Sequence, residues 1–159
     1  MTAVLGAVVL LAGCDSATPD TSGSRVTLGA ALAASAPHPD CLAPPPITNP
    51  DLADFAAALQ LPAEAYTFAV RFGASAHILH VDLCVPAAES IDDLRAPATS
   101  VAHALKKNSL GSQIDMLVVT DAGGVREKYK SYLVDRSFQT HSWDGTPAEE
   151  AMWEIYSLP

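Results

Sequence analysis

The sequence predicts an α+β domain, in which an antiparallel sheet of about four strands, formed by two hairpins, carries helices on one face. Three observations lead to this fold class. Three segments have helical apolar spacing, two pairs of strand-like runs lie between them, and a short glycine-containing segment joins each pair. Because strands joined by tight turns pair antiparallel and a helix must bury its apolar stripe, this alternation favours a two-layer arrangement.

The first helix is predicted to begin at Asn49, with Asn49 as N-cap and Pro50 at the first helical position. An apolar stripe at helical spacing follows, formed by Leu52, Phe55, Ala56 and Leu59. The first hairpin is predicted from residues 66–72 and 77–85. One face of its second strand is apolar and should join the core, whereas His80 and Asp82 on the other face should contact water.

The second helix is predicted from a capping-box-like start at Ser90 to Lys106-Lys107-Asn108. Pro97 either kinks one helix or lies in the first turn of a second. The second hairpin is predicted from residues 114–120 and 125–134, with a turn at 121–124. The returning strand also has apolar spacing that fits a helix, although two glycines near its start disfavour that alternative.

The last helix is predicted from a capping box at residues 146–149, followed by a buried stripe. That stripe consists of Ala148, Met152, Ile155 and Tyr156.

The N-terminus has the pattern of an export signal. An apolar run at residues 4–11 is too short to cross a bilayer, which takes about 20 apolar residues, and it ends in Leu11-Ala12-Gly13-Cys14. These four residues resemble the lipobox of bacterial lipoproteins, and the resemblance covers this terminus alone. It implies cleavage before Cys14 and lipid on its sulfur. The protein would then be anchored in the bacterial cell membrane or outer membrane, facing the periplasm or exterior. The short, uncharged start leaves an upstream start codon open.

This resemblance divides the chain into a signal peptide (1–13), a lipidated Pro-, Ala- and Ser-rich tether (14–48) and a single α+β domain (49–159). With Cys14 lipidated, Cys41 and Cys84 remain as an even pair in an oxidising compartment, and we expect them to form a disulfide. The alternative is a catalytic Cys84 thiol with His80 or His103 as its base.

The formal net charge of -9 disfavours binding to nucleic acid. The sequence contains no nucleophile elbow, phosphate loop or metalloprotease motif, so we assign no catalytic residue, metal ligand or cofactor. A metal site would need His80 and Asp82 together with a distant histidine.

One local cluster is basic and aromatic in this acidic chain: Arg126, Lys128, Lys130, Arg136, His141 and Trp143. On a strand, the first three share a face that could meet an acidic partner. The alternative is a solvated edge strand protected by lysines, with Trp143 packed beneath a loop.

The expected function is a lipid-anchored, non-catalytic binding, assembly or inhibitory module of the cell envelope. Its partners would be the membrane, through the lipid anchor, and another envelope protein or an anionic wall polymer, not nucleic acid. The alternatives are an exported hydrolase without a local motif and a metal- or solute-binding lipoprotein.

Overall fold

The structure is a computed structural model that describes residues 35–126, 129–146 and 148–157. All of them belong to one of the two units into which the chain divides, residues 32–159. The expected signal peptide, Cys14, most of the tether and Lys128 lie outside the described residues. Within the described ranges, no helix has the length and apolar character needed to span a bilayer.

A five-stranded mixed sheet forms the centre of the domain, and its strands lie side by side in chain order. The described residues also form two α-helices, α1 (Pro50–Ala58) and α2 (Arg95–Lys106). The strands are β1 (Tyr66–Phe72), β2 (Ile78–Cys84), β3 (Met116–Asp121), β4 (Ser131–Asp135) and β5 (Glu154–Ser157). Short 3₁₀ helices are formed by Ile91–Leu94, Ser109–Gln113 and Glu149–Met152.

The α+β class is confirmed, but the expected sheet of four antiparallel strands is wrong. The neighbouring strands β2 and β3 are parallel, and the other three pairings are antiparallel. The physical reason is the connection between β2 and β3. It contains α2, which carries the chain back along the sheet, so the next strand starts at the same end as the previous one.

The turn predicted at residues 121–124 is also wrong. β3 and β4 do pair antiparallel, with Val119 opposite Leu133, but the chain between them runs from residue 122 to 130. A Cβ added at Gly123 would lie 2.7 Å from Cβ of Phe68 and 2.9 Å from Cβ of Cys84. Close packing therefore requires this glycine.

The predicted start of α1 is confirmed. Asn49 accepts a hydrogen bond from Leu52 N through its side chain, at 3.2 Å, and Pro50 begins the helix. Pro97 lies in the first turn of α2, where a missing N–H costs no helical hydrogen bond. Of the two alternatives for this proline, the second is therefore observed.

The predicted terminal helix is wrong. One of the two capping-box hydrogen bonds is present, because Thr146 N donates to the Glu149 carboxylate at 3.2 Å, but the N-cap of the observed 3₁₀ helix is Ala148, without a side-chain bond. However, Glu149–Met152 makes only a 3₁₀ helix, and β5 follows it. The edge of β4 supplies backbone partners for residues 154–157, so sheet pairing outweighs the helical spacing of the side chains.

The predicted disulfide between Cys41 and Cys84 is present, and both cysteines are buried. Next to it, Cys41 and Gly124 form an antiparallel bridge. Leu42 N donates to Gly123 O at 2.7 Å. The last part of the expected tether (14–48) is therefore attached to the domain by a covalent bond and by backbone hydrogen bonds.

The core lies on the face of the sheet that contacts both helices. Leu79, Val81 and Leu83 of β2 are each fully buried, as their alternation predicts. They share one apolar cluster with Leu52 and Phe55 of α1, Ala98, Val101, Ala102 and Leu105 of α2, and Leu117, Val119 and Leu133 of the neighbouring strands. The alternate residues of the strands lie on the opposite face.

Candidate functional site

The opposite face of the sheet, which we call the polar face, is not covered by a helix in the described part of the chain. Strand alternation and register place three pairs of side chains directly opposite each other on it. These pairs are Arg71 with His80, Asp82 with Thr120, and Tyr132 with Tyr156. Charged, hydroxyl and aromatic groups thus share this face with one buried aliphatic pair, Val118 and Val134.

A buried carboxylate organises the centre of the polar face. Asp82 is only 6% exposed, and it accepts hydrogen bonds from Arg71 and from Thr120 Oγ1, the latter at 2.5 Å. Burial of a carboxylate is tolerated when such partners compensate its charge. The arrangement fixes the Arg71 side chain, which is itself exposed, on the surface of the sheet.

A second carboxylate is held at the end of β3. Asp121 accepts a hydrogen bond from Val85 N at 3.0 Å, and the Tyr129 hydroxyl donates to its other oxygen at 3.4 Å. Burial and the neighbouring Asp121 charge raise the pKa of Tyr129, so its phenol stays protonated at physiological pH.

Two adjoining clefts open on this side of the molecule. The larger, of about 360 Å³, is lined by Arg71, Asp82, Thr120, Asp121, Ala122, Gly124, Arg126, Tyr129, Lys130, Ser131 and Tyr132. The smaller, of about 260 Å³, lies beside the disulfide and is lined by Asp40, Cys84, Val85, Pro86, Asp121, Gly124, Val125 and Arg126. Three residues line both clefts: Asp121, Gly124 and Arg126. We call the two clefts together the groove.

Arg126 and Lys130, two of the residues predicted to bind a partner, line the groove and are exposed. Among the described residues, neither cation has a carboxylate within 4 Å. Arg71, in contrast, is paired with Asp82. The groove therefore presents two positive charges that no described acid neutralises.

Arg136 lies farther along the polar face. Its guanidinium carbon is 4.5 Å from the centre of the Tyr156 ring, and its Nε is 3.7 Å from a Glu154 carboxylate oxygen. The Tyr132 and Tyr156 rings stack with centres 5.8 Å apart. This aromatic pair extends the polar face from the groove to the edge strand β5.

His141 and Trp143, the remaining predicted residues, lie elsewhere. Trp143 is 3% exposed, and its indole N–H donates to the fully buried Asp135 at 2.8 Å. His141 Nδ1 is 2.9 Å from the other Asp135 oxygen. Trp143 also packs on Trp153, with ring centres 4.9 Å apart. These contacts fit the alternative interpretation, in which Trp143 packs beneath a loop.

Buried carboxylates organise these regions: Asp82, Asp135 and Glu149. The expectation that Asp82 contacts water is wrong, because Arg71 and Thr120 cover its carboxylate. The burial of Asp135 and Glu149 was not predicted. Asp82 lies between two apolar residues of the sequence and Asp135 follows an apolar run, whereas Glu149 stands beside Glu150. An acidic residue within or at the end of an apolar run indicates a buried carboxylate, and a buried carboxylate needs hydrogen-bond donors. Which donors meet it depends on the tertiary structure.

The histidine and acid considered for a metal site have other partners. Asp82 is bonded to Arg71 and Thr120, and the pKa of His80 is lowered by burial and by the Arg71 charge. His77 lies near Asp115 and the carbonyl of Gln113. In the described part of the chain, no three histidine, cysteine or acidic residues are grouped to hold a metal ion.

A third cleft, of about 380 Å³, lies between the two helices and includes Phe55, Leu59, Ser100 and His103. His103 Nε2 is 2.5 Å from the buried carboxylate of Glu149. The Ser100 hydroxyl donates to Ala96 O at 3.1 Å, so it has no described hydrogen bond to His103. A base and a hydroxyl share this cleft without forming a nucleophile–base pair.

Comparison of the chain with protein families, curated proteins and solved structures finds no match, so the site is interpreted from its own chemistry.

Proposed function

We propose that the chain is an exported, lipid-anchored protein of the bacterial cell envelope that binds another envelope protein through the polar face, without catalysing a reaction. The observation that carries the proposal is a sheet face that no described helix covers, with exposed cations, stacked tyrosines and a groove. Flat or shallow surfaces of this composition suit protein partners, because arginine and tyrosine are enriched at interfaces.

Two further features support location outside the cytosol. The buried Cys41–Cys84 disulfide is a bond that persists in oxidising compartments and is rare in the cytosol. The lipobox-like sequence that ends at Cys14 accounts for attachment to a membrane. The disulfide also joins the end of the expected tether to the domain, beside the groove.

The proposal can be tested by photocrosslinking in intact cells. A photoreactive phenylalanine replaces Tyr132 on the polar face, and a matched variant carries it at Gln60, an exposed residue of the cleft between the helices. We expect a discrete protein adduct from position 132 only. Equal labelling from both positions, or no adduct from position 132, would contradict binding through the polar face.

A second candidate function, an exported hydrolase, is favoured by the His103–Glu149 pair in the cleft between the helices. A buried carboxylate that orients a histidine is one part of a nucleophilic site. The binding role remains our first proposal, because the Ser100 hydroxyl is bonded to its own helix. Labelling of wild type by a fluorophosphonate, lost in Ser100→Ala, would establish the hydrolase instead.

A further inference from the structure

We propose that the groove binds an acidic peptide segment of the partner, with Arg126 and Lys130 receiving carboxylate groups and the exposed Val125 and the Tyr132 ring contacting apolar residues. This inference rests on the proposed function and specifies the chemistry of the partner.

The charges of the groove carry the first step. Asp40, Asp82 and Asp121 line the groove. Arg71, Thr120, Val85 N and Tyr129 already donate to Asp82 and Asp121, and a His38 ring nitrogen lies 3.9 Å from the Asp40 carboxylate. Arg126 and Lys130 have no acidic partner within 4 Å among the described residues. A ligand that supplies carboxylates therefore pairs with cations that no described acid neutralises, without displacing existing bonds.

The apolar part of the groove carries the second step. Val125 is 56% exposed, and it lines the smaller cleft beside Arg126. Tyr129 and Tyr132 line the larger cleft. Arg126 lines both, so each cleft combines a cation with apolar groups. A peptide with acidic and apolar residues matches this combination.

The charge of the whole chain distinguishes a peptide from an anionic polymer. The formal net charge is -9, and the groove offers only two cations without a described acidic partner, Arg126 and Lys130. A uniformly charged anionic polymer longer than the groove would be repelled by the net negative charge of the protein. A peptide with one or two carboxylates between apolar residues meets the local cations alone.

The test uses the full chain, purified in detergent, to select peptides from a random dodecapeptide display library. Three single variants are compared with wild type: Arg126→Glu and Lys130→Glu in the groove, and Lys107→Glu at the end of α2. Each lowers the net charge equally, and all three side chains are exposed. Only the position of the charge therefore differs, and thermal unfolding checks that each variant is folded.

We expect the selected peptides to be enriched in Asp and Glu interspersed with apolar residues. Fluorescence anisotropy should show that their affinity falls about tenfold or more in either groove variant and stays unchanged in Lys107→Glu. Replacing each Glu of the peptide by Gln should weaken binding to wild type similarly. Raised salt should also weaken it.

The inference is overturned if selection yields no acidic enrichment, if all three variants bind alike, or if a glycerol-phosphate polymer binds the groove and competes with the peptides. These outcomes can be distinguished from failure of the proposed function. If position 132 gives a specific crosslink and any of these outcomes is also observed, the acidic-peptide inference is wrong and the proposal of a protein partner still stands. Absence of that crosslink rejects the partner itself.

Discussion

At the scale of single residues, buried acids hold the part of the chain that follows β4. Asp135 is fully buried and accepts hydrogen bonds from Trp143 Nε1 and from Ser137 N. Glu149 is 3% exposed and accepts from the backbone of Gly145 and Thr146, with His103 beside it. Each of these carboxylates accepts hydrogen bonds from several donors and so orders residues that lie outside the strands.

Trp143 and Arg136, two residues of the predicted basic and aromatic cluster, should respond differently to replacement by alanine. Trp143→Ala should lower the free energy of unfolding by about 3–5 kcal/mol, because it removes a buried indole. Arg136→Ala should change it by roughly 0.5 kcal/mol or less, since Arg136 is exposed. Urea unfolding followed by circular dichroism measures both. A stable Trp143→Ala variant that loses its partner would instead make Trp143 a binding residue.

Glu149 should make stability depend on acid pH. Burial raises its pKa, but hydrogen bonds from Gly145, His103 and Thr146 lower it more, so the net shift is downward from an ordinary value of 4.5. The carboxylate therefore stabilises the fold above that value, and the contribution is lost as pH falls through the folded pKa.

We expect Glu149→Gln to lower the free energy of unfolding by about 2 kcal/mol at pH 7. The difference from wild type should shrink as pH falls below about 4.5. Urea unfolding at pH 7 and at lower pH measures it. Glu150→Gln is the matched control, because Glu150 is exposed. A deficit that is independent of pH would refute the ionic role of Glu149.

At the scale of elements, α1 is a short helix whose start is fixed locally. Asn49→Ala should lower the free energy of unfolding by about 1 kcal/mol, because it leaves Leu52 N without its side-chain acceptor. Asn49→Asp keeps an acceptor and should retain nearly all of the stability. Thermal unfolding of both variants measures this. Equal losses in the two would show that the cap contributes through something other than the acceptor.

The disulfide has its largest effect on the segment that precedes α1. Replacing Cys41 and Cys84 by Ser opens a link across 43 residues, which costs about 4 kcal/mol in the chain-entropy model and often less in practice. We expect residues 35–49 to become sensitive to protease in the variant and in reduced wild type, as mass spectrometry of the fragments would show. Reductant should leave the double variant unchanged, and protection of the segment without the bond would contradict this role.

At the scale of the whole molecule, the lipid anchor remains a prediction from the first fourteen residues. Mass spectrometry of protein extracted from membranes should find Cys14 as the first residue, with acyl chains on it. At least two chains are expected, because one holds a protein at a membrane only marginally. Cys14→Ser should release the protein from the membrane fraction. An unprocessed Met1 terminus would reject the anchor.

The candidate site could be predicted only in part. Basic residues after β3 stand out in an acidic sequence, and Arg126 and Lys130 do line the groove. Arg71 and Tyr156 carry no such signal, because the sequence predicts Arg71 within an ordinary strand and Tyr156 on the buried stripe of a helix. Register brings them to the polar face, and register depends on pairing between distant segments.

By itself, the sequence determined the features that depend on neighbouring residues: the Asn49 cap, the buried face of β2, the α+β class and the pairing of the only two cysteines left for a disulfide. Tertiary structure decided the parallel pairing of β2 with β3, the strand where a terminal helix was predicted, and the buried positions of Asp135 and Trp143. The physical reason is the separation along the chain over which each interaction acts. Capping and alternation act within a few residues, whereas strand order, sheet edges and buried polar contacts are decided by segments far apart in the chain.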